Sequence, residues 1–185
     1  PVGTLVFGVI ADTLGANPVE AVTRGLGEWT LRLLWVTLAI TPLRRLTGWN
    51  WLLRFRRMLG LYAFFYATLH LLSYVWADQF FDWPAIWHDI VKRPFITVGF
   101  ASFLIMVPLA STSTHGMIKR LGGRRWQSLH RWVYASAILG ALHYWWLVKK
   151  DVTEPAIYAA ILAVLLGARL FWRWQESRHA GVVAL

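Results

Sequence analysis

The stretch 58–77, MLGLYAFFYATLHLLSYVWA, determines the fold class that this chain predicts. It contains no Asp, Glu, Lys or Arg, and a helix of about 20 apolar residues is long enough to cross a lipid bilayer. Its one histidine is His70. An ionisable side chain at membrane depth is costly and by default marks a functional site. The stretch therefore predicts a membrane protein that carries a functional histidine.

The rest of the chain repeats this apolar pattern. Of 185 residues, 57% are hydrophobic and 15% are charged, whereas an ordinary soluble domain has about 25% charged residues; the mean hydropathy is +0.47. Apolar runs near membrane-spanning length lie at 25–42, 58–77, 94–110, 129–148 and 155–172, with a shorter run at 2–11. We predict an all-α fold, a polytopic membrane helix bundle in a single domain, 1–185, with six transmembrane helices. The first helix is incomplete, and because the chain begins with Pro we expect residues upstream of it rather than a cleaved signal peptide.

The charged residues alternate between the two predicted membrane sides. Basic residues fill the loops after the second and fourth runs and the C-terminal tail, whereas every acid except Glu176 lies elsewhere. By the positive-inside rule, the basic loops and the C-terminus are cytoplasmic. The net charge of +10 is then mainly topological, so we expect membrane lipid and no nucleic acid as a partner. Most of the 13 tryptophans lie near the ends of runs, as in the aromatic belts of membrane proteins.

Three histidines lie inside the runs, namely His70, His130 and His143. The predicted orientation places His70 and His143 at one depth, in the outer half, and His130 near the cytoplasmic end. The residues between His130 and His143 span about 20 Å of helix and leave the two rings about 140° apart, so these two cannot share one iron. Either this helix is distorted, for example near Gly140, or the two histidines face different sides of the bundle.

The pair His70 and His143 suits a haem between facing helices. The chain has no Cys, which excludes thiolate-bound haem, iron–sulfur clusters and disulfides. No Asp or Glu lies within the last four runs to form a proton relay with the histidines. The alternative from another class stays open, a cofactor-free transporter or membrane anchor whose histidines hydrogen-bond between helices.

Several motifs resemble the bacterial MsrQ (YedZ) proteins, from about Gly15 onward. They are Ile40-Thr41-Pro42-Leu43, Arg56-Arg57-Met58-Leu59-Gly60-Leu61, Tyr66-Ala67-Thr68-Leu69-His70, Arg93-Pro94, Ser111-Thr112-Ser113, Arg125-Trp126-Gln127-Ser128-Leu129-His130 and His143-Tyr144. The resemblance implies a ferric-reductase-like transmembrane domain in the bacterial inner membrane. It implies a haem b subunit that passes electrons to a periplasmic, molybdopterin-containing reductase of the MsrP type, which reduces methionine sulfoxide in proteins. The implied electron donor is the quinone pool or a cytoplasmic flavin reductase, and FMN is implied beside haem b.

The resemblance also separates the inner histidine from the outer pair. Related NADPH oxidases have a further histidine where this chain has Arg56, and arginine offers iron no lone pair. His70 and His143 are then the expected axial ligands of one haem. His130 is either an axial ligand of a second haem, part of a flavin or quinone site, or a packing residue. Arg56 and Arg131 would suit an anionic group of a cofactor, although topology alone also explains most of the arginines.

Two further alternatives remain at this stage. The chain could act as a stand-alone transmembrane metalloreductase or as a quinol-oxidising b-type cytochrome. The outer loop 78–93, which holds Trp83, Trp87 and several acids, is either a partner contact or an amphipathic segment that lies on the membrane.

Overall fold

The computed structural model describes residues 2–183, and it describes side chains as far as residue 179. The described part is helical and contains no strand. A 3₁₀ turn, Asn50–Leu52, precedes the third helix, and a π-helical turn, Tyr74–Asp78, follows it. The helices are α1 (Val2–Ile10), α2 (Pro18–Thr47), α3 (Leu53–Ser73), α4 (Trp83–Lys92), α5 (Pro94–Ser111), α6 (His115–Leu121), α7 (Gly123–His130), α8 (Val133–Leu147) and α9 (Thr153–Val183). The predicted fold class, an all-α membrane helix bundle, is confirmed.

In the part of the chain that the structure describes, three helical stretches are long and apolar enough to cross a membrane, namely Asn50–Asp78, Pro94–Ser111 and Thr153–His179. They contain the predicted runs 58–77, 94–110 and 155–172. The predicted run 25–42 lies inside α2, whose first half also carries charged residues, and α8 has only 15 residues. Length and composition therefore support three of the predicted spans, and the count of six stays a prediction.

The predicted helix 129–148 is divided in the structure. α7 ends at His130, a turn follows at Arg131 and Trp132, and α8 begins at Val133. In this turn the Trp132 amide donates to Leu129 O at 3.0 Å and the Tyr134 amide donates to Arg131 O at 3.1 Å, the tighter i→i−3 pattern that often interrupts α-helices. The distortion expected near Gly140 thus lies beside His130 instead, and Gly140 is inside a continuous helix.

The bundle is built around α2, which packs along α3, while α5 packs along α8. The buried apolar core joins α2, α3, α5, α8 and α9 through Leu31, Leu34, Trp35, Leu38, Ala63, Ala67, Met106, Ala137 and Leu162. Two buried serines connect α5 with α8. Ser102 Oγ donates to Ser136 O at 2.8 Å, and Ser136 Oγ donates to Ser102 O at 3.2 Å. These paired bonds satisfy polar groups that would find no hydrogen-bond partner in lipid or in an apolar core.

An arginine completes the hydrogen bonding of α2 at its internal proline. Pro42 has no N–H, so the carbonyl of Leu38, four residues earlier, receives no helical hydrogen bond. Arg169 of α9 donates to this carbonyl from Nη2 at 2.6 Å, and its guanidinium lies 5.3 Å from the ring centroid of Tyr134. The sequence pattern counted Arg169 only as a positive charge of the tail. In the structure it is half-buried and ties α9 to α2 and α8.

Candidate functional site

His70 of α3 and His143 of α8 face each other inside the bundle. Their ring centroids are 6.1 Å apart, and the two ring planes are inclined by 74°. Both side chains are half-buried. The structure therefore brings together the two histidines that depth had paired, from helices that are distant in sequence.

Backbone carbonyls fix the tautomer of both rings. His70 Nδ1 lies 2.8 Å from Thr23 O, and His143 Nδ1 lies 2.7 Å from Phe95 O. A carbonyl oxygen can only accept, so each Nδ1 carries the proton and donates it. In a neutral imidazole the lone pair is then on Nε2, which makes no hydrogen bond with any described residue. This is the usual state of a metal-binding histidine, since the bond at the other nitrogen orients the ring.

Two glycines make room for these rings. A Cβ at Gly99 of α5 would lie 2.6 Å from His143 Nδ1 and 2.9 Å from its Cε1. A Cβ at Gly27 of α2 would lie 3.2 Å from both Nδ1 and Cε1 of His70. Each histidine thus packs edge-on against a helix backbone that only glycine leaves open, and this close approach permits the hydrogen bonds to Thr23 and Phe95.

The residues present fit a haem held by two axial imidazoles. A metal–imidazole nitrogen bond is about 2.0 Å long, so two rings on opposite sides of one metal have centroids about 6.2 Å apart when each nitrogen lies about 1.1 Å from its centroid. The 6.1 Å between the two ring centroids is compatible with this value. Edge-to-face ring pairs without a metal also lie about 4.5–7 Å apart, so the two Nε2 atoms without a hydrogen-bond partner among the described residues carry the fit. In addition, the Thr23 hydroxyl is buried and has no hydrogen-bond partner among the described residues. Groups of three or more ligating side chains, as a bare metal ion would need, are absent from the described part of the chain.

His130 lies in a different environment. Its ring stacks on Trp126 with a centroid distance of 3.9 Å, and its Nε2 lies 3.1 Å from Thr112 Oγ1. The Thr112 hydroxyl gives its own proton to Pro108 O at 2.6 Å, so His130 Nε2 donates to Thr112. Trp126 Nε1 donates to Thr112 O at 3.0 Å. His130 is thus held as a packed and hydrogen-bonded side chain, apart from the pair.

The two predicted arginines differ in their surroundings. Arg56 is half-buried, lies within electrostatic range of His130 and Arg169, and makes no hydrogen bond or ion pair with the described residues. Arg131 is exposed and likewise has no such partner in the described part. Arg56 therefore remains a candidate for an anionic group near His130, and Arg131 points to the surface of the bundle.

The sequence pattern did not reveal the residues that orient the two histidine rings or those that leave space for them. Gly27, Gly99 and the carbonyls of Thr23 and Phe95 carry no recognisable motif. The only available signal was a glycine inside an apolar run. Glycine lowers helix stability there, so its presence often marks a place where another group approaches the backbone closely.

The chain is similar to a set of known membrane proteins. Residues 26–141 match the sequence profile of the family described as ferric reductase like transmembrane component; His143 lies just beyond this match. A Herminiimonas arsenicoxydans protein named protein-methionine-sulfoxide reductase heme-binding subunit MsrQ is 59% identical over 100% of this chain and 85% of its own length. Proteins of the same name are 62% identical in Azospira oryzae, over 90% of this chain and 72% of the relative, and 62% identical in Rhodospirillum rubrum, over 87% and 77%.

Proposed function

This chain belongs to the MsrQ family of ferric reductase like transmembrane components, and from this premise we propose that it carries electrons through the membrane to a protein-methionine-sulfoxide reductase. The resemblance seen in the sequence motifs is thereby confirmed, as is a role as the haem-binding subunit of the methionine sulfoxide reductase system. The route of the electrons, the ligands and the partners are parts of the proposal.

We assign His70 and His143 as the two axial ligands of one haem b. The observation that carries this assignment is the pair of backbone carbonyls that leave both Nε2 lone pairs available, on two rings whose centroids are 6.1 Å apart. The Thr23 and Phe95 carbonyls hold the rings in place, and Gly27 and Gly99 allow helices α2 and α5 to approach them.

A haem held by His70 and His143 would supply one-electron transfer. The chain contributes the rest of the site. Its two neutral imidazoles add no charge to the apolar interior, which suits a site at membrane depth. Their hydrogen bonds to the backbone would hold both rings in a fixed orientation towards the cofactor. The catalytic partner then performs the reduction of the substrate.

The distribution of charge supports an orientation in the inner membrane. With the arginine-rich loops and the C-terminus in the cytoplasm, the pair His70 and His143 lies towards the periplasm. Electrons then leave on the side where a periplasmic, molybdopterin-containing MsrP-type reductase would bind. They arrive from the quinone pool or from a cytoplasmic flavin reductase, as the family resemblance implies.

The assignment of a second cofactor site, in the half of the bundle that we place towards the cytoplasm, is less specific. Arg56 is half-buried, lies near His130 and has no hydrogen-bond or ion-pair partner among the described residues, so it would suit an acidic group of a second cofactor, either a haem propionate or the phosphate of FMN. His130 already donates Nε2 to Thr112, which favours a packing role over iron ligation. A second haem and FMN remain predictions from the resemblance.

A reduced-minus-oxidised spectrum tests the proposal. The purified protein, expressed with sufficient haem and reduced with dithionite, should show the sharp α and Soret bands of a b-type cytochrome. His70→Ala and His143→Ala should each lose the low-spin spectrum, while the control His130→Ala should retain it. A colourless wild-type protein, or equal haem loss in all three variants, would contradict the assignment.

A second experiment tests the direction of electron flow. The haem protein is reduced in liposomes, and its reoxidation is followed after addition of purified MsrP-type reductase with methionine sulfoxide. Rapid reoxidation that requires both additions supports the proposed partner. Reoxidation at the same rate without the reductase would favour a stand-alone metalloreductase or another acceptor.

A further inference from the structure

Helix α4 lies between two membrane-spanning stretches and has three distinct faces. Ile86, Asp89 and Ile90 face the protein, where Ile86 and Asp89 are buried. His88 and Lys92 form an exposed polar face. Trp83, Trp87 and Val91 repeat every four residues, so they form a continuous stripe on one side of the helix. These three side chains are 63%, 67% and 58% exposed, and we call them the α4 stripe.

A buried carboxylate anchors α4 to the end of the helix that carries His70. Asp89 is 6% exposed. Its Oδ2 accepts from Tyr74 OH at 3.1 Å, and its Oδ1 lies 3.0 Å from Arg93 Nε. Tyr74 follows His70 by about one helical turn and begins the π-helical turn. The position of α4 is therefore fixed relative to the helix of the histidine pair.

The turn before α4 carries two aromatic side chains, and the Phe81 ring centroid lies 6.2 Å from that of Trp83. Phe80 and Phe81 both have positive φ angles, 47° and 62°, a conformation that is costly for bulky residues. The Phe81 amide donates to Val75 O at 2.9 Å, which holds the turn closed. Phe80 is 80% exposed. The backbone is thus held in a strained form that keeps these rings at the surface.

We propose that α4 lies in the interfacial region of the bilayer at the end of the bundle that holds the histidine pair, with the α4 stripe in contact with lipid. Tryptophan is enriched at this boundary because its ring is apolar while its N–H can reach water. A helix with one apolar and one polar exposed face takes this position. The adjacent membrane-spanning stretch also exposes apolar side chains close to its end, since Leu72 and Trp76 are 50% and 68% exposed.

Through Asp89, this position of α4 is linked to the helix that carries His70. The stripe holds α4 at the lipid boundary, and Asp89 connects α4 to Tyr74 through a partly buried hydrogen bond. The inference depends on the chain being a membrane protein and does not depend on the haem assignment.

Site-directed spin labelling tests the proposal, and the chain is suited to it because it contains no cysteine. Trp83→Cys, Trp87→Cys and Val91→Cys are each labelled with a nitroxide in the full chain. His88→Cys on the polar face of the same helix is the matched control. The proteins are reconstituted in vesicles of phosphatidylcholine and phosphatidylglycerol. EPR power saturation then compares the accessibility of each label to oxygen, which concentrates in lipid, and to a water-soluble nickel chelate.

The proposal predicts that labels at 83, 87 and 91 have a higher oxygen-to-nickel accessibility ratio than the label at 88. It also predicts that Asp89→Asn together with Tyr74→Phe increases the mobility of the label at 87. Ratios at 83 and 87 equal to that at 88 would overturn it. Nickel access at 83 and 87 that is lost only when an MsrP-type reductase is added would overturn it in favour of a protein-docking surface.

Discussion

Replacing Gly99 with alanine is the smallest change that should disturb the candidate haem site. The added methyl group would lie 2.6 Å from His143 Nδ1, 2.9 Å from Cε1 and 3.0 Å from Cγ. Since non-bonded heavy atoms settle at about 3.5 Å, the ring would have to withdraw by about 0.9 Å. Both the α5 backbone and the edge of the ring are involved, so little of this strain can be relieved by a flexible side chain.

The withdrawal has two consequences for His143. The hydrogen bond from Nδ1 to Phe95 O, 2.7 Å long, would be lengthened or lost, at a cost of about 0.5–1.5 kcal/mol. The ring would also lose its orientation towards His70. Loss of such an orienting partner lowers metal affinity by about 10- to 100-fold, and we expect haem affinity in Gly99→Ala to fall within this range.

The matched control is Gly60→Ala on α3, where the new Cβ would meet only Thr37 Cγ2 at 3.9 Å. Haem-free protein of each variant is titrated with haem in detergent, and binding is followed in the Soret band. Gly60→Ala should bind haem as the wild type does. Unchanged affinity and an unchanged low-spin spectrum in Gly99→Ala would refute the reasoning that this glycine makes room for an iron ligand.

Three further substitutions test the space around His70 and the contact between Arg169 and α2. Gly27→Ala places its Cβ 3.2 Å from the His70 ring, a longer distance than the 2.6 Å at Gly99. It should therefore weaken haem binding less than Gly99→Ala in the same titration, and a larger effect of Gly27→Ala would contradict this reasoning from distances. Arg169→Leu leaves the Leu38 carbonyl without a donor and should lower the free energy of unfolding by about 1–3 kcal/mol, as measured by circular dichroism during denaturation in detergent. Pro42→Ala restores the helical N–H, so the double variant Pro42→Ala/Arg169→Leu should recover part of that loss. If the changes in unfolding free energy of the two single variants simply add, Arg169 does not stabilise the protein through this carbonyl.

The fold class and the histidine pair followed from simple features of the sequence. Long apolar runs without charge predict membrane helices, and an imidazole at membrane depth is rare enough to be noticed at once. The alternation of charged loops then assigned His70 and His143 to one depth. The structure places these two rings together and His130 elsewhere.

The local breaks and close contacts could not be predicted in the same way. The turn at Arg131 and Trp132 lies inside an apolar run that contains neither Pro nor Gly at that point, so no breaker residue marked it. It occurs where His130 contacts Thr112, the residue after α5, and this is a tertiary contact. Arg169 was assigned to the charged tail because its partner, the Leu38 carbonyl, is distant in sequence and is exposed only by Pro42.

Low-temperature EPR of the oxidised protein tests the central claim most directly, the ligation of one haem by His70 and His143. The wild-type chain should give a low-spin ferric signal. His143→Gly should lose this signal and regain it when free imidazole is added. His130→Gly should show the wild-type signal with and without imidazole. A low-spin signal that persists in His143→Gly without imidazole would contradict the claim.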